Sequence, residues 1–384
     1  MQGKGKIREI SREVNYIAEG IALLQHLGVG ERYEDLKESL GKKYAKPFRE
    51  GLRKFEILER IEKNASKVFR KDMEEVRYYF SVKGEGGLNC AGKLVLLWED
   101  SMLGTVYDAA GLRRFLAGLS EKEYCTKFGK CLHSFVNMVL DDGKIMKTEE
   151  PFAVISCLMK LEMEESEKWK LQKIFFDRKE HEGKVLLLLE KAVDVLESFR
   201  EELEELTGIF SHYWAEELKG DSPAAYMREM AEIDLGESPY GFFLYPSIVS
   251  PNIISWHAEM EDYGEYKEPD LFRIGILFGE DFDIKTSRAR NDEEFGNYAL
   301  QAMKLLGDRS KFEILSCIRD GEAYGSKLAK HLNLTTATVS YHMNALVAAG
   351  LVEIKRVHNR VYYRTNKTAL KEVLDYIRKS LTGE

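Results

Sequence analysis

Five of the chain's seven prolines fall between Pro223 and Pro269. Proline lacks the amide proton that a helix interior needs and clashes with the turn before it, so long helices are excluded there and permitted upstream. From the N-terminus to about Glu232, apolar residues recur mostly at steps of three and four, which predicts an all-helical or nearly all-helical unit over 1–235. Residues 236–290 join prolines to Gly236, Gly241 and the runs Phe242-Phe243-Leu244-Tyr245, Ile253-Ile254-Ser255-Trp256 and Phe272 to Phe278. These predict a few short strands or an extended segment packed on the helical body. The charged stretch Ser287 to Glu294 reads as a linker, and residues 297–384 as a further unit; a chain of 384 residues is long enough for such a division.

The strongest periodic stretch runs from Val185 through Leu189, Ala192, Leu196, Phe199, Leu203 and Leu206 to Phe210. It predicts one long helix with a continuous apolar seam, serving either a coiled-coil dimer or an intramolecular bundle.

Charge is distributed unevenly. The net charge of −8 conceals a C-terminal stretch, 297–384, with 14 Lys+Arg against 8 Asp+Glu, which leaves 43 against 57 in the residues before it. A basic module attached to an acidic body points to a nucleic-acid partner for the module alone. No apolar core of a secretion signal follows Lys4, Lys6 and Arg8, and the longest aliphatic run, Val185 to Leu189, is far short of the roughly 20 residues of a membrane span. Cys90, Cys125, Cys131, Cys157 and Cys317 are odd in number and lack CxxC spacing, as reduced thiols do. The expected location is the cytoplasm, with no membrane partner.

Within the basic module, Leu306-Gly307-Asp308-Arg309-Ser310 opens a helix after a short amphipathic one carrying Ala299, Met303 and Leu306. A further helix, Gly325 to Leu332, and a turn at Asn333-Leu334 lead to Thr335, which can cap a helix running to a stop at Gly350. At 100° per residue Val339, Met343 and Leu346 share a face that must be buried. Ala337, Ser340, Tyr341 and Asn344 then face outward, a small uncharged surface suited to a major groove about 12 Å wide. Thr336, Thr338 and His342 flank it, nearer the phosphates. Next, Glu353 to Val357 and Val361 to Arg364 alternate around His358-Asn359-Arg360, predicting a β-wing with a three-residue loop. Its Lys355, Arg356, Arg360 and Arg364 can supply salt-sensitive phosphate contacts. The last helix places Leu370, Leu374, Ile377 and Leu381 on one stripe, available to a second subunit. The expected fold class is therefore mainly α: an N-terminal helical domain with a short β segment, then a winged helix-turn-helix.

Residues 300–381 resemble the ArsR-type winged-helix regulators, through Leu306-Gly307-Asp308-Arg309-Ser310, Thr338-Val339-Ser340-Tyr341-His342-Met343 and Ala349-Gly350-Leu351-Val352. The resemblance implies a homodimer that binds double-stranded DNA at an inverted repeat, usually represses, and is released by an effector. The long N-terminal extension departs from the compact founding members and reads as an effector domain for an unknown small molecule or partner. The founding members sense metal through a cysteine pair on the helix before the recognition helix; Ser326 to His331 holds none, so neither a metal nor a cofactor is expected. Cys125, Cys131 and His133 would point about 240° and 200° apart on one helix and cannot converge on zinc. His212 and Glu216 form only a lone i,i+4 pair.

Two alternatives concern the N-terminal part. Gly87-Leu88-Asn89-Cys90-Ala91-Gly92-Lys93 matches most of a phosphate-binding loop after the strand-like Arg77 to Val82, but Leu94 replaces the Mg²⁺-binding hydroxyl. No other catalytic constellation stands out, so an enzyme is not expected. The other alternative is a protein-docking domain using the acidic surface or the heptad seam.

Overall fold

The computed structural model describes residues 7–43, 49–81, 90–135, 148–160, 164–218, 241–257, 270–279, 292–357 and 360–383. Its first helices are α1 (Tyr16–Val29), α2 (Tyr33–Lys43), α3 (Arg49–Val68), α4 (Met73–Phe80), α5 (Ala91–Val95), α6 (Ala109–Gly118) and α7 (Glu121–Phe135). Then come α8 (Pro151–Lys160), α9 (Glu165–Phe176), α10 (Arg178–Glu197) and α11 (Arg200–Glu217). The fold class is mainly α, as the periodicity predicts.

α1 is buried on nearly all sides: every residue from Ile17 to Leu24 is inaccessible, which marks a central rather than an amphipathic surface helix. Asn15 starts it, its Oδ1 accepting from the Ala18 N–H at 2.9 Å while its Nδ2 donates to the carbonyls of Leu103 and Val106. α1 packs on α10 and α4. Near its end Gly28 lies so close to α4 that a Cβ there would stand 2.7 Å from the Phe80 carbonyl carbon, so any side chain would force the helices apart.

Beside the helices lies a mixed sheet of β1 (Ile7–Ile10), β2 (Phe242–Ser247), β3 (Ile254–His257) and β4 (Asp270–Gly275), in the order β1-β2-β4-β3. β1, β2 and β4 run parallel and β3 antiparallel. The sequence predicts strands over 236–290 but not β1. Ile7 and Ile10 are as compatible with helical spacing as with a strand, and only pairing with Phe242 to Leu244, far away in sequence, decides between them. Pro246 fits in β2 because β1 pairs no further than Leu244, leaving that side of the strand without a ladder.

The sheet and α1 meet through a buried ion pair. Glu19 Oε1 lies 2.9 Å from Arg273 Nη2, with the side chains 2% and 8% exposed. Glu19 Oε2 accepts the N–H groups of Ile248 and Val249 at 3.1 and 2.7 Å. Beside it the Tyr33 hydroxyl donates to the Val249 carbonyl at 2.6 Å. These bonds compensate the desolvation of the carboxylate and fix the turn after β2 on α1.

Several sequence expectations are corrected. The seam from Val185 to Phe210 is carried by two helices, broken where the Phe199 N–H donates to Leu196, three residues back, instead of four. Its residues are nonetheless all buried within this chain, which favours the bundle over the coiled coil. Arg77 to Phe80 are helical, not strand-like, so the phosphate-loop resemblance lacks its preceding strand; residues 82–89 and 136–147 lie outside those described. Lys93 is half-buried on α5 rather than in solvent.

C-terminal to these, α12 (Asp292–Leu306), α13 (Arg309–Ile318), β5 (Ala323–Tyr324), α14 (Gly325–Leu332), α15 (Thr336–Ala348), β6 (Val352–Val357), β7 (Arg360–Thr365) and α16 (Lys367–Thr382) form a winged helix-turn-helix. A second apolar cluster, from Ala299 to Val373, holds these elements together. Glu294, read as linker, already lies inside α12, and Met303 is exposed while Ala299 and Ala302 face inward. No helix among the described residues is long and apolar enough to cross a membrane.

Glu19→Gln leaves the Arg273 guanidinium buried without its counter-charge and should cost about 3–5 kcal/mol. All four tryptophans precede residue 297, so urea unfolding followed by tryptophan fluorescence reports on this part of the chain. The variant's midpoint should fall well below the parent's; an unchanged midpoint would show that the pair contributes nothing.

Candidate nucleic-acid interface

α15 is bounded at both ends by local hydrogen bonds. Thr335 Oγ1 accepts from the Thr338 N–H at 3.0 Å and pairs with the Thr338 hydroxyl at 2.7 Å, an N-cap worth about 1 kcal/mol. At the other end Gly350 adopts φ +69°, and the N–H groups of Gly350 and Leu351 donate to Val347 and Leu346 at 2.8 and 2.9 Å. This closing pattern needs a residue in the left-handed region, where glycine has no steric penalty. The turn before α15 uses the same device with Asn333, at φ +54°.

Val339, Met343 and Leu346 are each 0% exposed and share one apolar cluster with Ile314, Leu315 and Ile318 of α13 and with Leu328 and Ala329 of α14. That burial turns the opposite side of α15 outward. Tyr341 is 54% exposed and Asn344 is exposed; Ser340, Thr336 and Thr338 are half-buried. The Ala337 side chain lies outside what is described.

His342 is half-buried beside the first turn of α13, and its Nδ1 is shielded without a partner among the described residues. Burial, and then the Lys311 charge, hold its pKa below the usual imidazole value, with Asp308 opposing, so the ring is neutral at pH 7. Asp308 accepts the Lys311 N–H at 3.0 Å and caps α13. That bond leads in lowering the Asp308 pKa, with the Lys311 and His342 charges assisting.

Lys311 itself is 8% exposed, its Nζ 3.4 Å from Asp308 Oδ2 and 5.8 Å from the Tyr341 ring centroid. A buried cation thus lies within cation–π range of a tyrosine on the outer face. Sequence reasoning missed this approach, because it links two helices through a tertiary contact. It also passed over Lys327, Lys330 and His331, which are exposed on α14. In a helix-turn-helix the first helix crosses the phosphate backbone, and two lysines three apart were the available signal.

In the wing, β6 and β7 are antiparallel, with Val357 opposite Arg360, Arg356 opposite Val361, Lys355 opposite Tyr362 and Glu353 opposite Arg364. Arg360 is therefore a strand residue and not part of the expected three-residue loop, whose residues 358 and 359 lie outside those described. Alternation in the sequence does not say where the last cross-strand pair closes. Arg364 is exposed and forms an ion pair with Glu353. The side chains of Lys355, Arg356 and Arg360 are outside the described set.

The stripe expected on α16 is divided: Leu370 and Ile377 are partly buried on the module's own core, whereas Leu374 and Leu381 are 49% and 82% exposed. On α12, Leu300 is 62% exposed. Phe295 of α12 packs on Tyr376 of α16, ring centroids 5.3 Å apart. Among the described residues no group of three or more His, Cys, Asp and Glu could hold a metal ion. Cys125 and Cys131 are buried, and burial raises the pKa of both thiols.

A family model described as bacterial regulatory protein, arsR family, matches residues 308–353. The arsenical resistance operon repressor of Staphylococcus xylosus is 35% identical over 79 residues, 21% of this chain and 72% of the relative. That of Staphylococcus aureus is 32% identical over 72 residues, 19% of this chain and 69% of the relative. The transcriptional repressor SdpR of Bacillus subtilis (strain 168) is 26% identical over 74 residues, 19% of this chain and 82% of the relative. No solved structure matches the chain significantly. The capped α15, the glycine stop and the wing lie in or beside the matched residues, and through them the chain belongs to the ArsR family of bacterial regulatory proteins.

Proposed function

We propose that the chain is a sequence-specific DNA-binding transcriptional repressor. In this reading residues 297–384 bind an inverted-repeat operator as a homodimer, and a ligand or partner of the preceding residues controls release. The observation that carries the reading is the outer side of α15, an exposed, uncharged surface above a fully buried Val339-Met343-Leu346 stripe. Asn344, Tyr341 and Ser340 offer hydrogen bonds to base edges, and the Ala337 methyl suits thymine. Thr336, Thr338 and the wing residues Lys355, Arg356, Arg360 and Arg364 stand at the backbone, joined by Lys327 and Lys330 of α14. His342 is assigned a supporting rather than a phosphate-binding role, since it is neutral and half-buried. The three relatives above are all repressors by name, which favours repression over activation.

The purified full chain should bind DNA from upstream of its own gene in preference to random duplex at moderate salt; equal binding would sink the reading. Replacing Arg356 and Arg360 by Ala should weaken binding to both duplexes and flatten the dependence of log K on log salt by about one unit for each phosphate no longer neutralised. An unchanged slope would remove those two from the interface.

Homodimerisation is assigned to α12 and α16, whose exposed leucines suit a second copy. In light scattering, Leu374→Asp with Leu381→Asp should convert a dimer to a monomer and abolish tight operator binding, because each half-site alone provides only part of the interface. A double variant that stays dimeric would place the subunit interface elsewhere.

A further inference from the structure

α3 and α11 are joined by polar bridges. Arg53 Nη2 lies 2.8 Å from Glu205 Oε2, and Arg60 Nη2 lies 3.1 Å from Glu202 Oε1 with its guanidinium over the Phe199 ring. Arg53 and Glu205 also line a cavity of about 530 Å³ between α3, α11 and the residues after β4. Interiors pack so closely that voids larger than a water molecule are few, and small-molecule sites span roughly 300–1,000 Å³.

The chemistry of the cavity is set by which of its groups are already satisfied. Leu206, Ile209, Phe210 and Tyr213 recur at helical spacing along α11 and, with Ile276 and Phe278, make most of the wall apolar. Ile209 is 44% exposed, so apolar surface stands open there. The Arg53 guanidinium and the Glu205 carboxylate neutralise each other. Lys54, only 8% exposed, has an interaction of its own. His212 is exposed to solvent rather than enclosed. A charged ligand would therefore lose hydration without meeting an enclosed, unengaged counter-charge, a loss that an uncharged molecule does not suffer. Water fares poorly too, since a buried water needs about two to four polar partners and this wall is mostly apolar.

We infer that this cavity is a binding site for an uncharged, largely apolar small molecule. The α11 face from Leu206 to Tyr213, together with Ile276 and Phe278, holds its body by dispersion and by removing apolar surface from water. The Arg53–Glu205 bridge stays closed in the bound state and selects against charge: a carboxylate would have to displace Glu205 from Arg53, and an ammonium would have to displace Arg53 from Glu205. As the effector of the proposed repressor, the molecule takes its purpose from that reading; its occupancy of the cavity does not depend on it.

Phenylnaphthylamine, an uncharged dye that brightens in apolar surroundings, should titrate one saturable site on the full chain. Decanamide should displace it, and decanoate, the same chain ending in a carboxylate, should need about tenfold higher concentration. Ile209→Trp fills the recess and Ile209→Asp puts a charge in its wall, both at a half-exposed position, and each should weaken the dye about tenfold. Trp169→Ser removes a 66% exposed aromatic ring outside the cavity and should leave dye binding unchanged. No dye uptake, decanoate that displaces as well as decanamide, an Ile209 variant that binds like the parent, or loss of the dye with Trp169→Ser would each overturn the assignment. The same samples in a mobility shift on the upstream DNA keep the two claims apart. Protein that shifts DNA but takes up no dye refutes the cavity assignment alone, and protein that takes up dye but shifts no DNA refutes the regulator reading alone.

Discussion

The outward side of α15 exists only because its inward side is dry. Val339, Met343 and Leu346 have no exposure at all, and burying three such side chains is worth about 1.5–3 kcal/mol each, far more than any single polar group on the helix could return by rotating it. With the rotation set by the core, the polar residues in between have no choice of direction. The Thr335 cap and the left-handed Gly350 then set where the helix begins and ends, which fixes how many residues a groove can meet. Lys311 adds a contact to that surface: it is buried beside Asp308, and its ammonium lies 5.8 Å from the Tyr341 ring centroid.

The preceding residues follow another logic. Their centre is a helix buried on nearly all sides, and such a helix can accept a polar anchor only if that anchor is fully paired. Glu19 meets the condition with one guanidinium and two backbone amides, and thereby couples α1 to a sheet whose strands come from opposite ends of this region. The same arrangement leaves α11 and the end of β4 walling a recess that no side chain of the described residues fills.

What could be read from the sequence depended on how local the cause was. The cap at Thr335, the stop at Gly350 and the buried stripe of α15 are each determined within a few residues, and all three were legible. The apolar seam through Leu189 and Leu203 was legible as buried, but the break at Phe199 was not, because a helix that bends keeps its periodicity. β1 was invisible: four residues carry no decisive period, and their partner lies more than two hundred positions away. The wing's register, the Glu353–Arg364 pair and the Lys311–Tyr341 approach arise from closure and packing, and nothing in neighbouring residues announces them. The charge split along the chain, by contrast, needed no structure and pointed to the basic module.

The central claim is that the exposed α15 face, and not the basic residues around it, reads sequence. It is tested most directly by the ratio of operator to random-duplex affinity for a Tyr341→Ala, Asn344→Ala double variant, measured across a range of salt concentrations. The account predicts that this ratio collapses by about 1–3 kcal/mol for each base edge left unread, while the salt slope stays that of the parent. A double variant that keeps the parent's ratio would contradict it.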